Sequence, residues 1–272
     1  MSFFKKLFNS SKEPTMPVDT KQETFKSLYD QAESITRTGD MVRAITLFRE
    51  ALKLASHEGA LNQAVNRLYN FAASLHEGAT RKNTQVSGRI YFSAGLTELD
   101  AAIAIMELLT EVQPTASDIW YNLGLYCDNR CLFEKAVNAY QKAVSLDPEG
   151  PDAADSLLNL AIIHENKGRG ILGIRQENLG RYVFDPNDPP FVEAEKLLWK
   201  AIAIGRKVIS KDPAFKSHLS KMHHMLRDIY DHQFQGNKAV EQCLEMYKLN
   251  PEDNEVISWL KQAEKNTGKK LI

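Results

Sequence analysis

The chain of 272 residues carries 34 Lys and Arg against 35 Asp and Glu, and 43% of it is hydrophobic. That apolar fraction suits a buried core and excludes a disordered chain, and a net charge of −1 leaves no excess of cations for nucleic acid. Three cysteines make no disulfide framework, no apolar run approaches the roughly 20 residues that span a bilayer, and the start lacks the apolar core of a secretory signal; the expectation is a cytoplasmic protein.

Residues 1–22 stand apart. Phe3, Phe4, Leu7 and Phe8 form an apolar stripe beside Lys5, Lys6 and Lys12, and a Pro-containing polar linker follows. The segment reads either as a disordered tail or as a short amphipathic helix that touches a membrane or a partner. From Phe25 onward the apolar residues recur at three- and four-residue spacing, which is the helical period, and Ala is frequent, as closely packed helices require.

The clearest internal unit is 117–149. Trp120, Leu123 and Gly124 are followed by Ala136, Tyr140, Ala143 and Pro148. Gly124 and Ala136 are small enough for two antiparallel helices to meet, Trp120, Leu123 and Tyr140 fill the space around that point, and Pro148 ends the second helix. This pattern resembles the tetratricopeptide repeat. The same frame fits four more units, with Ala32 and Ala44, Ala72 and Ala102, and Ala161 and Ala194 at the small positions, while the unit at 220–251 is degenerate in its first helix, at Leu226, Arg227 and Tyr230. The resemblance implies an all-α fold: a right-handed helical solenoid of about five TPR-like helix pairs at 25–56, 65–114, 117–149, 154–213 and 220–251. A capping helix at 252–265 would cover the last pair, and 266–272 would be a C-terminal tail. The whole solenoid spans 23–265.

Gly124 and Ala136 lie 12 residues apart, whereas Ala72 and Ala102 lie 30 apart and Ala161 and Ala194 lie 33 apart. Insertions therefore separate the helices of the second and fourth units, at about 78–98 and 167–190, and are expected to be two long intra-repeat loops on one edge. They carry Arg81, Lys82, Arg89, Tyr91 and Phe92, and Arg169, Arg175, Arg181, Tyr182 and Phe184. Arg with aromatic residues is the composition of binding hot spots, so Arg81, Arg89, Tyr91, Arg175, Arg181 and Tyr182 are candidate edge contacts.

No Gly-rich phosphate loop, nucleophile elbow or H-E-x-x-H motif is present. Cys127 and Cys131 are four apart, as two ligands on one helical face could be, but no second Cys/His pair is present, Cys127 falls at an inward-packing place, and they read as buried thiols. His224, Asp228, Asp231 and His232 share one helix face, which is either a solvated stripe or a metal or small-ligand sensor. The reading carries no enzyme activity, no cofactor and no metal.

The resemblance also implies which residues line the binding groove of the solenoid. At the fifth place of the units stand Tyr29, Tyr69, Tyr121, Leu158 and His224, and at the sixth Asp30, Asn70, Asn122, Asn159 and Met225. An asparagine there presents both donor and acceptor to the backbone of an extended peptide, similar to the asparagine ladders of peptide-holding members of the family. Asp128 and Glu165 fall on the same face, with Glu33, Glu77, Asp118, Asp155, Asp228 and Asp231 against Lys26, Arg37 and Lys221. Relatives that grip a C-terminal carboxylate use Lys and Arg where this chain has Asp155 and Asn159, so the resemblance implies a neutral or basic peptide or protein partner. The function expected is a scaffold or adaptor that binds this partner in the groove; the alternative uses the loop edge in a multiprotein or membrane-associated assembly.

Overall fold

A computed structural model describes residues 24–57, 59–86, 95–168 and 189–272. The tail stripe of 1–22, and the edge candidates Arg89, Tyr91, Arg175, Arg181 and Tyr182, lie outside the described residues. Within them the chain is all helix, without a strand, and no helix is long and apolar enough to cross a membrane.

The chain divides into two compact units, 1–64 and 65–272. In the first, α1 (Phe25–Thr38) and α2 (Met41–His57) form an antiparallel pair. Thr24 caps α1 by accepting the backbone N–H of Ser27 at 3.3 Å, which satisfies one of the orphan donors of a helix start. Ala32 and Ala44 are fully buried, so the backbones meet there, and Phe25, Leu28, Phe48 and Leu52 close around them.

The second unit contains most of α3 (Leu61–Val86), then α4 (Leu96–Val112), α5 (Ser117–Asn129), α6 (Phe133–Leu146), α7 (Pro151–Gly168), α8 (Pro189–Val208), α9 (Lys216–His232), α10 (Gly236–Leu249) and α11 (Asn254–Thr267). A short 3-10 turn, Pro213–Phe215, leads into α9. From α4 onward each helix packs on its successor, and α7 also meets α5 and α9, which is the stacking of a helical solenoid. Pro151 and Pro189 open α7 and α8, where a missing N–H leaves no bond unmade.

The small-residue frame of the sequence coincides with the interior. Ala72, Ala102, Ala136, Ala161 and Ala194 have no exposed surface. At Gly124 a Cβ would stand 2.6 Å from Cδ1 of Tyr140, so glycine is what lets α5 lie on that ring. Gly95 is a second close approach. It adopts φ +70°, and a Cβ there would stand 2.6 Å from the Cα of Ala79, which fixes the start of α4 against α3.

Two elements differ from their sequence-based outlines. The first insertion begins as helix: α3 runs for 26 residues, to Val86, and includes Arg81 and Lys82, whereas α5 has 13. Lys82 reaches across to pair with Glu98 of α4. The C-terminal segment is not a free tail either. After Gly268 the chain turns back, and the backbone N–H groups of Leu271 and Ile272 donate to Oε1 of Glu264, at 2.6 and 3.0 Å. Leu271 and Ile272 then pack with Met246, Val256 and Leu260.

Candidate functional site

The first helices of successive pairs in the second unit, α3, α5, α7 and α9, carry the residues assigned to the groove other than Tyr29 and its neighbours on α1. Tyr69 and Asn122 belong to neighbouring helices, and Nδ2 of Asn122 donates to the Tyr69 hydroxyl at 2.7 Å. The same Nδ2 donates to the carbonyl of Asp118 at 2.8 Å, which orients the amide. One helix pair on, Asn159 of α7 lines the same cavity as Tyr121 of α5. Both hydrogens of Asn122 are thus committed within the protein, and the part it offers a ligand is its carbonyl oxygen. The asparagine is an acceptor here, not the donor-and-acceptor pair that its type alone implies.

Tyr69 and Tyr121 are part-exposed. Burial, then the charges of Asp118 and Asp152, raises the Tyr69 phenol above its ordinary value. Burial, followed by Asp155 and Asp152, does the same to Tyr121. Farther along the face, His76 stacks on Tyr126 with ring centroids 4.4 Å apart, and its Nε2 lies 2.9 Å from Nδ2 of Asn129.

Between α5, α7 and α9 the surface opens into a cavity of about 460 Å³. Tyr121, Leu158, Ile162 and Met225 give it apolar walls, Asn159 an amide, and Asp155 and Asp228 carboxylates. Each carboxylate is matched by a histidine. Nδ1 of His218 is 2.9 Å from Asp155 and that of His224 is 3.3 Å from Asp228. Burial raises the Asp155 carboxyl while His218 and Lys221 oppose the shift. The bond to Asp228 raises His224 above its usual value. Sequence reasoning missed His218, because α9 begins at Lys216, one turn before the unit boundary drawn at 220.

Arg227 also pairs with Asp228 and stands 3.7 Å from Asp231. Its guanidinium lies over the Trp259 ring, 3.8 Å from the centroid. Asp228 and Asp231 are therefore engaged by a cation, and among the described residues no three His, Cys, Asp or Glu side chains could hold a metal together. The side chain of His232 lies outside the described residues.

Other assigned residues fall elsewhere. Tyr29, in the first unit, is 1% exposed and packs edge-on to Phe48 at 5.1 Å, so it is a core ring. Glu165 is buried as well. Asn70 and Arg81 are exposed on α3, and Asp128 is part-covered in the last turn of α5.

Residues 117–149, the α5–α6 pair, match the family model of the tetratricopeptide repeat. This pair is a tetratricopeptide repeat. Among solved structures, the C-terminal part of a TPR repeat-containing protein from Cytophaga hutchinsonii is 14% identical, with a TM-score of 0.53 over 89% of this chain and 75% of that one. The MamA protein is 14% identical with a TM-score of 0.45, covering 91% of this chain and 98% of that one. A tetratricopeptide repeat protein from Parabacteroides merdae is 13% identical, with a TM-score of 0.30 over 87% and 97%. At such identities the first likeness speaks to fold alone. No curated protein matches the chain in sequence. The chain has the helical-solenoid fold of tetratricopeptide repeat proteins, a fold that suggests a protein–protein interaction scaffold.

Proposed function

We propose that the chain is a non-enzymatic, cytoplasmic adaptor whose second unit holds an extended segment of a partner protein along α3, α5, α7 and α9. The observation that carries this reading is the tyrosine–asparagine contact between α3 and α5. The Tyr69 hydroxyl and the Asp118 carbonyl hold the Asn122 amide in place before any ligand arrives. A preorganised acceptor costs little ordering entropy on binding, and the spare carbonyl oxygen of Asn122 suits a peptide N–H. The cavity beside it takes one side chain against Leu158, Ile162 and Met225. Pairing of Asp155 and Asp228 with histidines softens the acidity of that cavity, so the partner's side chain there is apolar or neutral, with basic residues elsewhere.

Affinity capture from a lysate, repeated with two variants, tests the choice of face. Asn122→Ala with Asn159→Ala should lose the partner that the wild type retains. Arg81→Glu with Arg175→Glu and Arg181→Glu should keep it. The reverse pattern would move the working surface to the loop edge.

A further inference from the structure

We propose that the cavity between α5, α7 and α9 seats a tryptophan side chain of the partner segment, its indole N–H donated to a histidine Nε2 on α9. The inference rests on the groove reading and names the side chain that one part of the groove takes. His218 and His224 both line the cavity. Each turns Nδ1 to a carboxylate, His218 to Asp155 at 2.9 Å and His224 to Asp228 at 3.3 Å. A neutral imidazole that donates through Nδ1–H carries its lone pair at Nε2, and the carboxylate behind it makes that nitrogen a better acceptor. Among the described residues neither Nε2 has a hydrogen-bond donor, and neither is sealed from solvent. The two side chains are 41% and 43% exposed, so a ligand can reach both acceptors.

The walls suit an aromatic body. Tyr121 offers a ring and Met225 a thioether, and both are favourable neighbours for an aromatic side chain. Leu158 and Ile162 add aliphatic surface. The charges disfavour a cationic donor. Asp155 and Asp228 already have their histidines, Arg227 also holds Asp228, and Lys221 lines the same cavity, where it would repel a lysine or arginine. A phenol brings an acceptor to be satisfied as well as a donor, whereas one Nε2 satisfies an indole completely.

The same geometry makes the seat sensitive to protons. The charged groups around the two rings are Asp155 from α7, Lys221, Arg227 and Asp228 from α9 itself, and Glu255 from α11. Trp259 of α11 also stands edge-on to His224, with centroids 5.3 Å apart. Protonation puts a hydrogen on Nε2 and turns the acceptor into a donor, which an indole N–H cannot meet. The bond to Asp228 favours that protonated form of His224.

The test uses the full chain and three acetylated, amidated pentapeptides, Ser-Ala-Xaa-Ala-Ser, with tryptophan, 3-benzothienylalanine or tyrosine at the centre. Benzothienylalanine keeps the shape of tryptophan and replaces its N–H by sulfur. Titrations are followed by NMR at pH 8 and pH 5.5, with the imidazole nitrogens of His218 and His224 as reporters. At pH 8 the tryptophan peptide should bind about fivefold more tightly than the benzothienyl one, the scale of a single neutral hydrogen bond, and should shift an Nε2 signal. At pH 5.5 the two should bind equally. His218→Leu with His224→Leu should bind them equally at pH 8; should that variant not fold, the wild-type comparison still decides. Equal affinity for the two peptides at pH 8 would overturn the seat while leaving the groove standing, and binding of none of the three would overturn both. A preference that persists at pH 5.5, unmoved Nε2 signals, or a tyrosine peptide bound more tightly than the tryptophan one would also overturn the proposal.

Discussion

In the third helix pair, Gly124 of α5 lies against the ring of Tyr140, and Ala136 stands 12 residues further on. In the fifth pair the same spacing runs from Arg227 to Ala239, and Arg227 lies over Trp259 of α11 while its donors serve Asp228 and Asp231. One pair keeps its helices together by leaving out a side chain. The other fills the corresponding place with the largest cation available, flattened on an indole and held by two carboxylates. The contrast shows that this position of the repeat frame accepts a flat, ion-paired cation as well as a small residue.

The largest effect expected of this comparison is at Gly124. Gly124→Leu puts a branched side chain where a Cβ alone would overlap Tyr140, and should cost about 3 kcal/mol by thermal or urea unfolding. At the fifth pair, Arg227→Ala supplies the residue that the frame carries at Ala32, Ala72 and Ala161. It should nevertheless destabilise by about 2 kcal/mol, because it removes the cation from Trp259 and from two aspartates. A gain in stability would mean that the arginine is a misfit the fold tolerates.

The fold was largely legible because its determinants are local. Small residues 12 apart, prolines at helix ends and a helical period are written in the chain itself, and the buried alanines lie where that frame puts them. The site was less so. Tyr29 and Tyr69 occupy one repeat position, yet one ring is core and the other half-open, since burial depends on what packs around each helix. The Tyr69–Asn122 bond could have been found by comparing the fifth and sixth places of successive units. The isolation of Asp128, whose Oδ1 is sealed from solvent and accepts no hydrogen bond, could not, because it depends on Asn129, Arg130 and Lys135 all pointing elsewhere.

That isolation gives a smaller effect of opposite sign. A carboxyl raised from 3.8 to about 6 costs stability in full above pH 6, and the cost fades as the pH falls through 6 toward 4 and vanishes below 3.8, where folded and unfolded forms are both protonated. Asp128→Asn should therefore stabilise by about 1–2 kcal/mol at pH 7, allowing for partial exposure, with little gain at pH 4. Unfolding curves at the two pH values check it. The smallest effect belongs to His224, which Asp228 raises above its usual value. Its contribution is present below about pH 6.5 and lost as the pH rises through the folded value. His224→Gln should thus cost under about 1 kcal/mol at pH 5.5 and almost nothing at pH 8.5.

The most direct test of the peptide-holding face is calorimetric titration of the captured partner into the wild type and into a variant with Asn70, Asn122 and Asn159 all changed to Ala. Each lost acceptor should cost about 1 kcal/mol, so the triple variant should bind about two orders of magnitude more weakly while its circular dichroism stays helical. Equal affinity in the two proteins would contradict the account and leave Asn122 as a support for Tyr69.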